Sequence, residues 1–218
     1  MRTNLIIAMA ILAVFATLFS CKNNSSGPAA KGNITASPSK QTPKGKYSIK
    51  SGIVEYKTRM MGMDMKQTLA FDDYGKEELT EVIVEMMGAE VHTFSLSRDG
   101  FIYRYDLMKK TGTKRPLSQG RDLNIDFENL SGQMARDMNL KKEGSEEFLG
   151  RSCEKMSIDY TKMQMKGTYL LYKGVALKVD SDLGSVKMNL VAGKFLENPE
   201  IPAAKFEVPA DIKIVESK

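Results

Sequence analysis

The 218-residue chain has one histidine and two cysteines, and this scarcity argues against several kinds of site. A zinc centre of the usual kind needs several Cys or His ligands, which a lone His92 does not supply. A cysteine nucleophile needs a neighbouring base, and Cys153 lies far from His92 in the sequence. There is also no recognisable Ser-His-Asp set and no glycine-rich phosphate loop. We therefore expect no enzyme, no metal and no cofactor, and Cys153 is expected to be a buried core thiol.

The sequence also lacks an apolar run long enough for an ordinary membrane span. The run from Leu5 to Phe19 has about fifteen residues, whereas a span needs about 20. It follows Arg2, and its length is typical of the apolar region of a secretory signal. The alternative is an uncleaved anchor with an incidental cysteine, but the polar stretch begins directly after Cys21.

The four residues LFSC at 18–21 resemble the lipobox of bacterial lipoproteins. The resemblance implies that residues 1–20 are a removed signal peptide and that Cys21 carries acyl groups such as palmitate. Two such chains hold a protein on a membrane almost permanently. Lys22 is not the aspartate that retains lipoproteins at the inner membrane, and residues 23–24 are not an acidic export signal. The implied location is the periplasmic face of the outer membrane.

The charge of the chain is unevenly placed. The total is +5, but the first 47 residues contain six cations and no acidic residue, which leaves −1 for residues 48–218. The basic character therefore belongs to the N-terminal part, and the electrostatic footprint of a nucleic-acid-binding domain is absent. We expect no nucleic-acid partner.

The region after the cysteine is rich in Ser, Asn, Gly, Pro and Lys. Such a composition buries too little apolar surface to offset its conformational entropy. The sequence thus predicts a lipidated Cys and disordered tether over 21–46, followed by a single domain over 47–218.

Alternating apolar and polar residues recur in this domain with turn signals between them, as at 72–75, 87–89 and 98–100. This spacing predicts an antiparallel meander and about nine strands. Residues 126–139 break the pattern, because Phe127, Leu130, Met134 and Met138 recur at helical spacing. We predict a helix there, with Asp126 as its N-cap.

The last third of the chain carries an ordered set of features that resembles the LolA/LolB-like lipoprotein-carrier superfamily. These features are Lys173-Gly174, Gly184, Asn198-Pro199, Ile201-Pro202 and Phe206-Glu207-Val208-Pro209, with the segment DGFIYRYDLMKKTG at 99–112 as a further match. The resemblance implies a mainly β fold with one or two helices. In that fold a curved antiparallel sheet, a half-open β-barrel, is covered by helix and binds acyl chains on its concave face.

Methionines are abundant and clustered, and three interpretations stay open. They can be ordinary packing residues, a deformable lining for a lipid-like ligand, or a Cu(I) site, since thioethers are flexible, polarisable and soft ligands. We predict that a hydrophobic ligand is lined by Met61, Met63, Met65, Val82, Val84, Phe101, Tyr103, Tyr105, Met156, Ile158 and Tyr160.

The sequence thus favours a non-enzymatic, membrane-anchored periplasmic lipoprotein that binds a hydrophobic or acylated ligand, such as an acyl chain or a lipoprotein. The alternative is a structural module that binds an envelope protein. A methionine-rich copper-binding protein is the third hypothesis.

Overall fold

A computed structural model describes residues 45–60, 62–86, 88–117, 125–184 and 186–217. The predicted signal peptide 1–20, the lipidation site Cys21 and nearly all of the predicted tether lie outside the described residues. So does Met61 of the predicted lining.

Within these ranges the chain forms one curved, open, twelve-stranded sheet. The spatial order is β12-β6-β5-β4-β3-β2-β1-β11-β10-β9-β8-β7, and every neighbouring pair is antiparallel except the parallel pair β6–β12. The fold class predicted from the sequence is confirmed. The strands are β1 (Gly52–Met60), β2 (Met63–Asp72), β3 (Glu77–Met86), β4 (Ala89–Arg98), β5 (Phe101–Asp106), β6 (Thr111–Pro116), β7 (Lys141–Phe148), β8 (Arg151–Tyr160), β9 (Met165–Tyr172), β10 (Val175–Leu183), β11 (Val186–Glu197) and β12 (Lys213–Glu216).

Short turns join the successive strands from β1 to β6 and from β7 to β11. The β9–β10 hairpin turns at Lys173 and Gly174, whose φ angles of 50° and 83° lie in the left-handed region. Glycine adopts that region without the penalty that a Cβ imposes.

The helix is shorter than the apolar spacing predicted. The α-helix α1 spans Gly132–Asp137, and Ser131 caps it by accepting a hydrogen bond from the backbone N–H of Met134. The predicted N-cap, Asp126, is wrong, because its carboxylate instead accepts from the backbone N–H of Asn129 in the preceding loop. That loop supplies Phe127 and Leu130 to the core without being helical.

The sheet has a separate hydrophobic core on each of its two faces. One face, here called the helix face, carries Val54, Tyr56 and Leu177 and packs against Met138, which follows α1. Residues 45–50 also cover this face, where Tyr47 packs on Phe71 with 4.3 Å between ring centroids.

The other face, here called the tail face, carries Leu79, Leu96 and Tyr105. The chain that returns from β11 to β12 crosses this face and buries Phe206 and Ile212 against it. Arg98 fixes this segment by donating a 2.6 Å hydrogen bond to the Phe206 carbonyl. All residues of both cores lie between 47 and 214, so we expect the domain to fold without residues 1–21.

Candidate functional site

A single row of cross-strand neighbours runs over the helix face through eight strands. Directly opposed residues of adjacent antiparallel strands lie on the same face of a sheet. The register joins, from β8 to β4, Met156, Tyr169, Val179, Leu190, Thr58, Met65, Val84 and Val91.

The burial of side chains changes along this row. Tyr169, Val179, Leu190 and Thr58 are between 3% and 8% exposed, and the first three belong to the helix-face core. Beyond Thr58 the row is only half-buried and its residues join neither core. Along this row, the packed part of the helix face therefore ends at Thr58.

The half-buried apolar residues beyond this point form what we call the open strip. They occupy alternate positions of β2, β3 and β4, which places their side chains on the helix face. Its members are Met63, Met65, Val82, Val84 and Val91. The strip is an apolar surface that no described core segment fills.

Seven of the predicted lining residues lie on the helix face. The first four are Met63, Met65, Val82 and Val84 of the open strip. The other three are Met156, Ile158 and Tyr160, whose cross-strand partners Tyr169, Gly167 and Met165 continue the same face on β9. Ile158 is 2% exposed and belongs to the packed core, as Met165 does at 4%.

The three aromatic residues of β5 lie on the opposite face. Tyr105 pairs with Phe94 and stacks on it at 5.1 Å, and Tyr103 pairs with Leu96, so both belong to the tail-face core. Phe101 has the same parity, and the ammonium of Lys114 lies 4.0 Å from its ring centroid. The structure thus does not bring Phe101, Tyr103 and Tyr105 together with the other predicted lining residues.

Three other side chains lie outside the open strip, namely those of Cys153, Met163 and His92. Cys153 is fully buried, and burial raises the pKa of its thiol, although a backbone hydrogen bond from Phe148 and the positive charge of Arg151 oppose this rise. Met163 is 41% exposed in a 3-10 turn, while nearby Met165 is buried. His92 lies 3.4 Å from both Glu81 and Glu90.

Two buried hydroxyl groups on the helix face were not among the residues predicted from the sequence. Thr58 and Ser181 are 5% and 3% exposed, and neither side-chain oxygen has a hydrogen-bond partner among the described residues. Burial raises the pKa of Tyr169 to about 12, and the nearby Ser181 hydroxyl partly opposes this rise. The sequence does not show which strand threonine or serine has a buried, unpaired hydroxyl, because the partners of that hydroxyl depend on the strand register.

Two recesses lie near β8 and β9, and charged side chains line both. The larger, of about 410 Å³, is lined mainly by polar side chains, among them Lys141, Asp159, Lys166 and Asp180. The smaller, of about 60 Å³, lies between Glu146, Lys155 and Tyr169. Neither suits an acyl chain, so the open strip is the better candidate for an apolar ligand.

Within the described ranges, no group of three or more His, Cys, Asp or Glu side chains is placed to hold a metal ion. In the same part of the chain, no helix has both the length and the apolar character needed to cross a membrane.

No protein-family model and no curated protein matches the sequence. Among solved structures, the chain is similar to an uncharacterized conserved protein from Thermus thermophilus, with a TM-score of 0.52 and 13% identity over 77% of this chain and 91% of that one. It also matches MucB, solved in complex with MucA(peri), with a TM-score of 0.47 and 13% identity over 78% of this chain and 58% of that one. A third match is the Mycobacterium tuberculosis lipoprotein LppX, with a TM-score of 0.38 and 12% identity over 68% of this chain and 88% of that one. The Thermus match shows a shared fold.

Proposed function

We propose that the protein is a non-enzymatic binding protein of the bacterial envelope that holds a hydrophobic or acylated ligand on the helix face of its sheet. The open strip supports this proposal most directly. Its five apolar side chains stay half-buried beside a packed core, and none of them belongs to either core.

The chemistry of the strip fits an acyl chain. Burying a methylene group is worth about 0.8 kcal/mol, so a chain laid along several strands gains affinity without any charged partner. Met63 and Met65 are flexible and polarisable, and they adapt to chains of different shape.

Uptake of a fluorescent fatty acid by the chain from Lys22 onward tests the proposal, with two variants as a matched pair. Val84 and Ile83 are adjacent, half-buried and apolar, but they lie on opposite faces of β3. We expect saturable uptake by the wild type, a loss of about tenfold or more in Val84→Asp, and near-normal uptake in Ile83→Asp. A charge on the strip would have to be buried with the ligand, which is costly.

The binding hypothesis fails if the wild type shows no saturable uptake. It also fails if the two folded variants bind equally well, with circular dichroism used to verify folding.

The anchor forms a separate part of the proposal. We propose that residues 1–20 are removed, that Cys21 carries acyl chains, and that the domain is held at the periplasmic face of the outer membrane. Mass spectrometry of the mature N-terminus should show an acylated cysteine, and membrane fractionation should place it in the outer membrane. An unmodified Cys21 or an intact N-terminus would contradict the proposed lipid anchor and leave the binding hypothesis unaffected.

A further inference from the structure

The Thr58 hydroxyl is a buried polar group in an apolar setting. Its residue is 5% exposed, and Oγ1 has no partner among the described residues. Leaving a hydroxyl buried and unpaired is destabilising, and native structures rarely tolerate this without a reason.

The position of Thr58 gives such a reason. In the row of cross-strand neighbours that crosses the helix face, Thr58 lies between Leu190 of the packed core and Met65 of the open strip. Met65 is unbranched and half-buried, so its side chain can move aside without strain. A ligand that lies on the strip and displaces Met65 would therefore lie beside Thr58, the direct cross-strand neighbour of Met65.

The surroundings of Thr58 favour a neutral ligand group over an ionised one. The residues beside it on the same face include Tyr56, Met65 and Leu190, none of which is charged. A carboxylate buried there would lack a compensating cation, whereas an ester carbonyl needs only one hydrogen-bond donor.

We propose that the Thr58 hydroxyl donates a hydrogen bond to the ester carbonyl of an acylated ligand on the open strip. The assignment rests on the proposed function and adds the chemical class of the ligand. Ser181 is less suited to this role, since the Tyr169 hydroxyl already lies near it.

Displacement of a bound polarity-sensitive dye by two probes tests the assignment on the chain from Lys22 onward. The probes are methyl dodecanoate and dodecane, which differ in the ester group. We expect the wild type to prefer the ester by about three- to tenfold, which is the worth of one net hydrogen bond. Thr58→Val keeps the shape of the side chain and should abolish the preference.

Thr68→Val is the matched control, because Thr68 is half-buried on neighbouring β2 but opposes Glu55 on the tail face. It should keep the preference for the ester. Thr58→Val should also raise the unfolding temperature of the free protein, because it removes an unpaired hydroxyl.

The outcomes separate the two hypotheses. If neither probe displaces the dye and the dye itself does not bind, the proposed function fails. If both probes bind but Thr58→Val keeps the ester preference, the role of Thr58 is overturned while the proposed function stands. A Thr58→Val variant that is less stable and equally selective shows that an internal water satisfies the hydroxyl, which also overturns the role.

Discussion

Lys46 Nζ lies 2.8 Å from Glu78 Oε1, and this ion pair fastens the first described residues to strand β3. The two side chains are 12% and 6% exposed. Tyr47 is buried beside them, and its pKa is raised by burial and by the negative charge of Glu78, to which its hydroxyl also bonds. The end of the predicted tether therefore continues directly into the helix-face core.

Replacing Lys46 with Met should destabilise the protein by about 3 kcal/mol, because it leaves the Glu78 carboxylate buried without its cation. Urea unfolding monitored by circular dichroism measures the change. The double variant Lys46→Met, Glu78→Met should recover much of the loss.

Lys76 provides a control for this experiment. It forms an ion pair of the same 2.8 Å length with Asp73, but the two side chains are 61% and 55% exposed. Lys76→Met should change stability by less than about 1 kcal/mol, as is usual for surface pairs. Equal effects of Lys46→Met and Lys76→Met would contradict the anchoring role of Lys46.

Stability should fall at alkaline pH because of Tyr169. Burial raises its pKa to about 12 in the folded protein, while an unfolded tyrosine ionises near pH 10. The stabilisation is therefore fully present below about pH 10 and is lost as the pH rises through about 12, to a total of roughly 2–3 kcal/mol. Tyr47 and Tyr56, whose pKa values burial also raises, act in the same direction.

The midpoint of urea unfolding, measured between pH 8 and 11.5, gives the dependence of stability on pH. The Tyr169→Phe variant should show a weaker dependence than the wild type. The account of Tyr169 is wrong if the slope is the same in the variant as in the wild type.

Replacement by alanine should have opposite effects on the stability of the protein at two glycines, Gly167 and Gly132. A Cβ on Gly167 would lie 2.7 Å from both the Asp180 carbonyl oxygen and the Ser181 Cβ, whereas the nearest atom to a Cβ on Gly132 is 3.5 Å away. Gly167→Ala should cost about 1–3 kcal/mol through overpacking, and Gly132→Ala should add about 0.5 kcal/mol of helix propensity. Thermal unfolding of both variants checks the opposite signs, and a stabilised Gly167→Ala would refute the close approach of β9 and β10.

Much of the fold could be predicted from local signals. Turn residues such as Asp99-Gly100 and Lys173-Gly174 mark hairpins, and alternation between them marks strands, so the antiparallel sheet follows from the sequence. The parallel pairing of β12 with β6 could not be predicted this way, since it depends on a long connection with no periodic pattern.

The division of apolar residues between the two faces could not be predicted either. Alternation shows that Tyr103 and Tyr105 share a face, but not which face of the sheet that is. Since both faces carry a core, an apolar stripe does not by itself point to the helix face. Apolar spacing also assigns Phe127 and Leu130 to a helix. A loop buries them instead, and a loop leaves no periodic pattern in the sequence.

Mapping where a fatty acid that carries a photoreactive diazirine crosslinks to the protein tests the central claim most directly. On the chain from Lys22 onward, we predict crosslinks at the open strip, on peptides that contain Met63, Met65, Val82 and Val84. Crosslinks confined to the tail-face residues Phe94, Phe101 and Tyr103, or no crosslinks that unlabelled fatty acid competes away, would contradict a ligand on the helix face.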